Sequence, residues 1–352
     1  MSRIEIKLDH HLCSGCCMWS GIEDVYCTRT GYEVPEGFFF MMASFAEIAY
    51  LKTPRNENAR MFSVGDGRPS HTYQNMKEIL GLDYHIGSGK TFDLTLTSLR
   101  KEIDKGNPVI LGPLDMYYLP YLKMYHQFHI PIHYVLMVGY DTDKNCVLIY
   151  DCDRKDLIEL SLKDLENAMN IEKNAVGNRN GYVRFSLTTD QKTPEQILAY
   201  SMKRKAASQL APKPYMTGIS AFEKAAKDFP KWKDELSKTS YQTTLMHLPE
   251  YWGKVPKLPN RFFGAPKNSK DIPYQANMDR FANCLTTIGT LTHNSGYVKA
   301  GNLFAQSGVL YQTITDKIIE SVCDGADTLG EIPSLILKIG CLYEEAYQLF
   351  AE

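Results

Sequence analysis

Two residues at the ends of a predicted β-hairpin have side chains suited to proton transfer. His133 precedes the apolar run 134–140, and Asp151 follows the apolar run 146–150. Turn residues at 141–145 fold one run back on the other, so that the two ends meet. A carboxylate that binds one ring nitrogen of a histidine fixes its tautomer and makes it a better base. We therefore predict that His133 is a general base oriented by Asp151.

A cysteine-rich run near the N-terminus supplies candidate nucleophiles for this base. Cys13, Cys16 and Cys17 precede apolar residues at helical spacing, which predicts a helix with Ser14 as its N-cap. Free amides in the first turn of a helix stabilise a thiolate. Cys13 is the preferred nucleophile, because the predicted packing of this helix leaves its first residue at the tip.

The other two thiols are kept as alternatives. The order Ser-Gly-Cys at positions 14–16, followed by Trp19, imitates the spacing around the papain nucleophile and makes Cys16 the runner-up. Cys17 shares the helical phase of Cys13, but it is expected one turn further in, where the amides are already bonded. Residue types alone leave the choice among the three open.

Two histidines stand just before the cysteines. The amide of Cys13, together with a side chain from His10 or His11, is a candidate pair of donors for the oxyanion of an acyl-transfer step. Cys13 and Cys16 also have the spacing of half a zinc site, but the sequence contains no second Cys-x-x-Cys pair. We therefore expect no metal.

The elements around these residues predict an α+β protein of two domains. Residues 1–190 mix strand and helix patterns, whereas residues 191–352 show mainly helical spacing. An N-terminal cysteine-bearing helix, followed over a hundred residues later by a histidine, two strands and an aspartate, is the order of papain-like cysteine enzymes. We predict a papain-like catalytic domain over 1–190, with its cysteine helix packed on an antiparallel sheet, and a mainly α-helical domain over 191–352.

Composition narrows the classes of partner. The 352 residues carry a formal net charge of −2, with 44% hydrophobic and 23% charged residues, which is typical of a soluble globular protein and does not favour nucleic-acid binding. The longest apolar run, 38–51, is shorter than the roughly 20 residues that cross a membrane, and no secretory signal is visible. We expect a cytoplasmic protein with reduced cysteines and no membrane partner, and leave formation of a homo-oligomer open.

Three segments give the sequence a family resemblance: residues 10–15, residues 106–121 and residues 133–151. The middle segment is the most specific, because its Asp-Met-Tyr-Tyr-Leu-Pro core at 115–120 lies shortly before His133. These segments resemble the butirosin-biosynthesis protein H type of papain-fold acyltransferase. A closthioamide-type amide synthase is a related alternative.

The resemblance implies an acyltransferase or amide synthase of antibiotic and other natural-product biosynthesis. Cys13, His133 and Asp151 would be the catalytic triad, with Cys16 as the alternative nucleophile. The oxyanion or substrate pocket would include His11, Asp115, Tyr117 and Tyr118. The acyl donor would be a thioester on the phosphopantetheinyl group of an acyl or peptidyl carrier protein, the acceptor would be a small amine, and no other cofactor is implied. A cysteine peptidase or amidohydrolase with the same triad is the alternative function.

Overall fold

The computed structural model describes residues 3–13, 17–53, 60–65, 68–211, 217–252 and 276–351. These residues form two compact units, one of residues 3–40 and 68–193 and one of residues 41–65 and 194–351, with the gaps just stated. Residues 41–65, which the sequence analysis assigned to the N-terminal domain, thus lie in the second unit. None of the described helices is long and apolar enough to cross a membrane.

The strands and helices are numbered here along the chain. The strands are β1 Arg3–Glu5, β2 Phe45–Lys52, β3 Arg60–Gly65, β4 Leu82–Ser88, β5 Val109–Asp115, β6 Pro131–Asp141, β7 Cys146–Tyr150, β8 Ile158–Ser161 and β9 Gly181–Leu187. The helices are α1 Cys17–Thr30, α2 Phe38–Ala43, α3 Pro69–Leu80, α4 Phe92–Asp104, α5 Leu162–Met169, α6 Pro194–Leu210, α7 Ile219–Asp228, α8 Trp232–Glu235, α9 Lys238–Tyr251, α10 Asn277–Leu291, α11 Ser295–Asp324 and α12 Ile332–Gln348.

The first unit is built on a seven-stranded antiparallel sheet. Its strand order is β4-β9-β5-β6-β7-β8, and β1 pairs with the far end of β6. Apolar side chains from β5, β6 and β7 pack with α4 and α5 into one buried cluster. Helix α1 also packs against β6. The predicted α+β class, with an N-terminal helix and an antiparallel sheet, is confirmed.

The predicted hairpin is formed by β6 and β7. Asp141 pairs with Cys146 at its closed end, and Leu136 pairs with Tyr150 towards its open end. The Asp141 carboxylate accepts hydrogen bonds from the amides of Asp143, at 3.0 Å, and Lys144, at 3.1 Å, which closes the turn. Strand β6 begins at Pro131, two residues before the predicted start at His133.

The second unit combines the β2–β3 pair with the C-terminal helices, and the predicted helical C-terminal region is confirmed. Strand β2 is irregular at Ala46, which has a φ of 61°. Side chains from two helices satisfy this irregular backbone. Lys205 of α6 donates to the Phe45 carbonyl at 2.6 Å, and the Tyr347 hydroxyl of α12 donates to the Ala46 carbonyl at 2.7 Å.

Candidate active site

His133 and Asp151 form a buried pair at the open end of the hairpin. Nε2 of His133 lies 2.7 Å from Oδ2 of Asp151. The other carboxylate oxygen accepts a hydrogen bond from the Cys152 amide at 2.8 Å, so the whole carboxylate is held. The Asp151 side chain is fully buried, whereas 12% of the His133 side chain remains exposed. The pair has the geometry of an oriented base with access to solvent.

The third member of the arrangement is Cys17, the first described residue of α1. Its thiol lies beside His133, close enough for a side-chain interaction that raises the pKa of the imidazole. Because Asp151 occupies Nε2, the nitrogen that remains for the thiol is Nδ1. Cys17 is partly exposed. The structure therefore brings together a thiol, an imidazole and a carboxylate, in that order.

A glycine one turn along α1 allows this approach. Gly21 follows Cys17 by four residues and lies over Leu136, three residues after His133 on β6. A Cβ atom added at Gly21 would lie 2.7 Å from Cδ1 of Leu136, closer than side-chain carbons pack. The missing side chain therefore lets α1 approach β6 closely enough for Cys17 to reach the imidazole.

The electrostatics of the pair favour a charged imidazole beside a charged carboxylate. Burial disfavours the charged ring, but Asp151 and the contact with Cys17 outweigh burial and raise the pKa of His133 well above its ordinary value. Burial likewise opposes the charge on Asp151, yet the neighbouring His133 lowers the pKa of that carboxyl. The imidazole therefore keeps its proton readily while the carboxylate is in place.

A second acid, Asp153, lies close to the same pair. Its side chain is largely buried, and its Oδ1 lies 3.4 Å from Nε of Arg154. Burial, followed by the charge of Asp151, raises the pKa of Asp153 to about 6, against the opposing effects of Arg154 and His133. Asp153 therefore changes its charge close to neutral pH.

The preferred nucleophile of the sequence analysis, Cys13, occupies a different environment. Its side chain is fully buried, and it precedes α1. Its amide donates to the Cys152 carbonyl at 2.6 Å, so this amide is not available to an oxyanion. This backbone hydrogen bond fixes the chain at position 13 beside Cys152. The runner-up, Cys16, lies outside the described residues, as does the predicted N-cap, Ser14.

His11, the predicted oxyanion or pocket residue, has both ring nitrogens occupied. Nε2 lies 2.6 Å from Oε2 of Glu23, and Nδ1 contacts Oδ1 of Asp24. The side chain of Glu23 is fully buried, and it also accepts a hydrogen bond from the Phe39 amide at 2.9 Å. With both nitrogens bound to acids, His11 has no hydrogen to offer a substrate while these contacts persist.

Asp115 and Tyr117 lie where β5 ends. Oδ1 of Asp115 accepts from the amides of Tyr117, at 3.1 Å, and Ile130, at 2.9 Å, and Oδ2 lies 2.6 Å from Nδ1 of His129. Asp115 thus caps a short 3-10 helix, and the ring of Tyr117 stacks on His129 at 4.0 Å. The ring of Tyr118 meets that of Tyr117 edge-on at 5.0 Å. The predicted pocket role of Asp115, Tyr117 and Tyr118 stays a prediction.

The comparison with protein families adds an independent observation. Residues 16–152 match the model described as butirosin biosynthesis protein H, N-terminal. Over this span the chain is similar to that family. The matched span begins after Cys13 and contains Cys17, His133 and Asp151. A comparison with curated proteins gave no match.

Cys17, which the sequence analysis ranks below Cys13 and Cys16, is a described cysteine whose thiol interacts with the ring of His133. The signal that identifies it is Gly21, because a glycine one turn after a cysteine marks the helix face that approaches a neighbouring strand. No group of three or more His, Cys, Asp or Glu side chains suited to a metal ion occurs among the described residues.

Proposed function

We propose that this chain is a cysteine-dependent acyltransferase in which Cys17 is the nucleophile, His133 the general base and Asp151 the residue that orients it. The observation that carries the proposal is the position of His133 between the Cys17 thiol and the Asp151 carboxylate. The order of helix, sheet and triad residues also favours a papain-like arrangement of the first unit.

The chemistry proceeds in two steps. His133 accepts the thiol proton through Nδ1, and the Cys17 sulfur attacks the carbonyl carbon of a thioester, whose own sulfur leaves with that proton. An amine then attacks the acyl-enzyme, Cys17 sulfur leaves, and His133 moves the proton from the amine to the thiol. The first step exchanges one thioester for another, and the second gives an amide, so that one difficult reaction becomes two easier ones.

The family likeness supports the kind of biosynthesis in which the proposed substrates would occur. A protein named for butirosin biosynthesis acts in the assembly of an antibiotic, which supports a role in natural-product biosynthesis for this chain. The donor we propose is an acyl group on a phosphopantetheinyl carrier protein, the acceptor a small amine, and the location the cytoplasm. Cys17 carries the acyl group itself, so the reaction needs no further cofactor.

Intact-mass spectrometry tests the nucleophile. The protein is incubated with a short acyl-pantetheine thioester, and we expect one acyl adduct that peptide mapping places on Cys17. Cys17→Ala should abolish this adduct, whereas the matched variant Cys13→Ala should retain it. An adduct that persists in Cys17→Ala and disappears in Cys16→Ala would assign the nucleophile to Cys16 and contradict the proposal.

The fate of the acyl group separates transfer from hydrolysis. The acyl-enzyme is mixed with a panel of primary amines, and amide and free acid are quantified by chromatography. Amide formation that rises with amine concentration supports an acyltransferase. Free acid alone, at every amine concentration, would favour the cysteine peptidase or amidohydrolase that shares this triad.

A further inference from the structure

Four side chains of the first unit form a largely buried cluster of opposite charges. This histidine–carboxylate cluster consists of His10, His11, Glu23 and Asp24. Only 6% of the His10 side chain and 1% of the Asp24 side chain are exposed. Glu23 and Asp24 belong to α1, and Asp24 follows Cys17 by seven residues, about two helical turns. The cluster is thus attached to the helix that carries the nucleophile.

One member of the cluster also reaches the turn that carries the orienting acid. Nδ1 of His10 lies 2.7 Å from Oδ2 of Asp24. On its other side, Nε2 lies 3.2 Å from the Asp151 carbonyl and 2.9 Å from the Arg154 carbonyl. The His10 ring also stacks on Tyr150, the last residue of β7, at 4.4 Å. His10 therefore connects α1 to the turn 151–154.

Hydrogen-bond accounting gives the protonation state of His10. Carbonyl oxygens only accept, so Nε2 must carry a hydrogen. Asp24 also accepts from the His11 amide at 3.0 Å, and His10 and His11 together outweigh burial and lower the pKa of this carboxyl. Nδ1 of His10 therefore faces a carboxylate and must carry a hydrogen as well.

We propose that His10, as an imidazolium, is a positioning residue that holds the turn 151–154 against α1, so that Asp151 meets His133 where His133 meets Cys17. This inference rests on the triad proposed above. His10 is the member of the cluster that contacts this turn through its side chain, since the ring nitrogens of His11 are bound to Glu23 and Asp24 on α1.

The surroundings of His10 determine how it responds to pH. Asp24 faces it from α1, His11 adjoins it in the chain, Tyr150 faces it from β7, and the turn offers backbone carbonyls. Burial and the neighbouring His11 disfavour a second charge, but Asp24 and the Arg154 carbonyl raise the pKa of His10. The raised pKa agrees with the doubly protonated ring that the hydrogen-bond partners of His10 require.

Alkylation of Cys17 tests the proposal independently of acyl transfer. The rate of reaction with iodoacetamide is measured from pH 5 to 9 by intact mass, with Cys17→Ala giving the background of the other cysteines. His10→Gln should lower the alkylation rate at pH 7 about tenfold and move the acidic limb of the profile to higher pH. The reason is that Asp151 is no longer held in position against His133 and stabilises the imidazolium less. The matched variant Glu23→Gln, which removes a charge from the same cluster without touching His10, should keep the wild-type profile within about twofold.

One measurement on the wild-type protein keeps the proposal falsifiable if His10→Gln folds poorly, and a second variant tests the role of the charge. In the wild-type protein, ¹⁵N spectra of the histidine rings at pH 8 should show both nitrogens of His10 protonated, and a neutral ring would overturn the proposal. His10→Lys, which retains a cation and its donors, should recover at least half of the alkylation rate lost in His10→Gln. Equal profiles for His10→Gln and Glu23→Gln would also overturn it. Failure of acyl transfer alone, with these alkylation differences intact, would count against the proposed function and not against the positioning role.

Discussion

The candidate triad and the histidine–carboxylate cluster both lie in the first unit, and they differ in which histidine nitrogens remain unbound. At the candidate triad, Asp151 occupies one nitrogen of His133 and leaves the other for a thiol. In the histidine–carboxylate cluster, acids occupy both nitrogens of His11. Both rings are paired with acids, but only the first can exchange a proton with a reactant. The number of free nitrogens therefore distinguishes a ring that can do chemistry from one that holds the structure together.

Replacement of His133 should have the largest effect on chemistry. His133→Gln removes the base that accepts the thiol proton, so we expect acylation of Cys17 by a short thioester to slow by about 10²–10⁴-fold. Single-turnover kinetics followed by intact mass measure this rate. His85→Gln, at an exposed position of β4, is the control and should stay within about twofold of the wild type. A decrease of less than tenfold in the acylation rate of His133→Gln would contradict the assignment of His133 as the base.

Gly21→Ala should have the next largest effect, because it changes the distance between Cys17 on α1 and His133 on β6. The added methyl group clashes with Leu136, so α1 must move away from β6. This movement increases the distance between Cys17 and His133. A displacement near 1 Å can cost about 10²-fold in rate, and overpacking of this kind typically costs about 1–3 kcal/mol of stability. Acylation kinetics and urea unfolding measure the two effects.

The control for this variant is Gly330→Ala, at a position where an added Cβ meets nothing within 4 Å. It should leave both the acylation rate and the free energy of unfolding close to wild type. A Gly21→Ala protein with wild-type acylation would show that close packing of α1 on β6 is not needed for the contact between Cys17 and His133.

These packing contacts explain why some of the site was predictable and some was not. The meeting of His133 and Asp151 follows from local patterns, since two apolar runs and a turn define the hairpin between them. The approach of Cys17 to His133 depends on how α1 lies on β6, where Gly21 meets Leu136, more than a hundred residues away in sequence. Helical periodicity alone carries no information about such a contact.

Local pattern also fails to assign residues 41–65 to a unit. It predicts apolar strands and a helix, but it does not identify the elements on which they pack. In the structure, the Tyr50 hydroxyl of β2 accepts a hydrogen bond from Nε1 of Trp232 at 3.2 Å, and the two rings stack. Because the partner lies far along the chain, these residues could not be assigned to the second unit from sequence pattern.

The histidine–carboxylate cluster should make the free energy of unfolding depend on pH, and His11 determines whether stability rises or falls as the pH increases. Despite burial, Asp24 and Glu23 raise the pKa of His11 to about 11, so the folded protein holds a proton that the unfolded chain loses near pH 6.5. This contribution is complete below about pH 6.5 and is lost as the pH rises towards about 11. Urea unfolding at pH 6, 8 and 10 should show a steeper loss of stability in the wild type than in His11→Gln.

Parallel curves of unfolding free energy against pH for the two proteins would show that His11 is not held as a cation in the folded state. The variant His85→Gln serves as control again, because this exposed side chain on β4 lies outside the histidine–carboxylate cluster.

Asp153 should give the smallest effect, and one confined to part of the pH range. Because the pKa of Asp153 is raised to about 6, mainly by burial, its carboxyl is neutral at pH 5 and charged at pH 7.5. Asp153→Asn therefore removes a charge near His133 only above about pH 6, where the imidazolium loses part of its stabilisation. We expect the rate of Cys17 alkylation by iodoacetamide to fall by about two- to threefold at pH 7.5 and to stay unchanged at pH 5. The decrease is small because Asp151 still holds the ring. A ratio of variant to wild-type rates that is constant from pH 5 to 7.5 would mean that the charge on Asp153 does not act on His133.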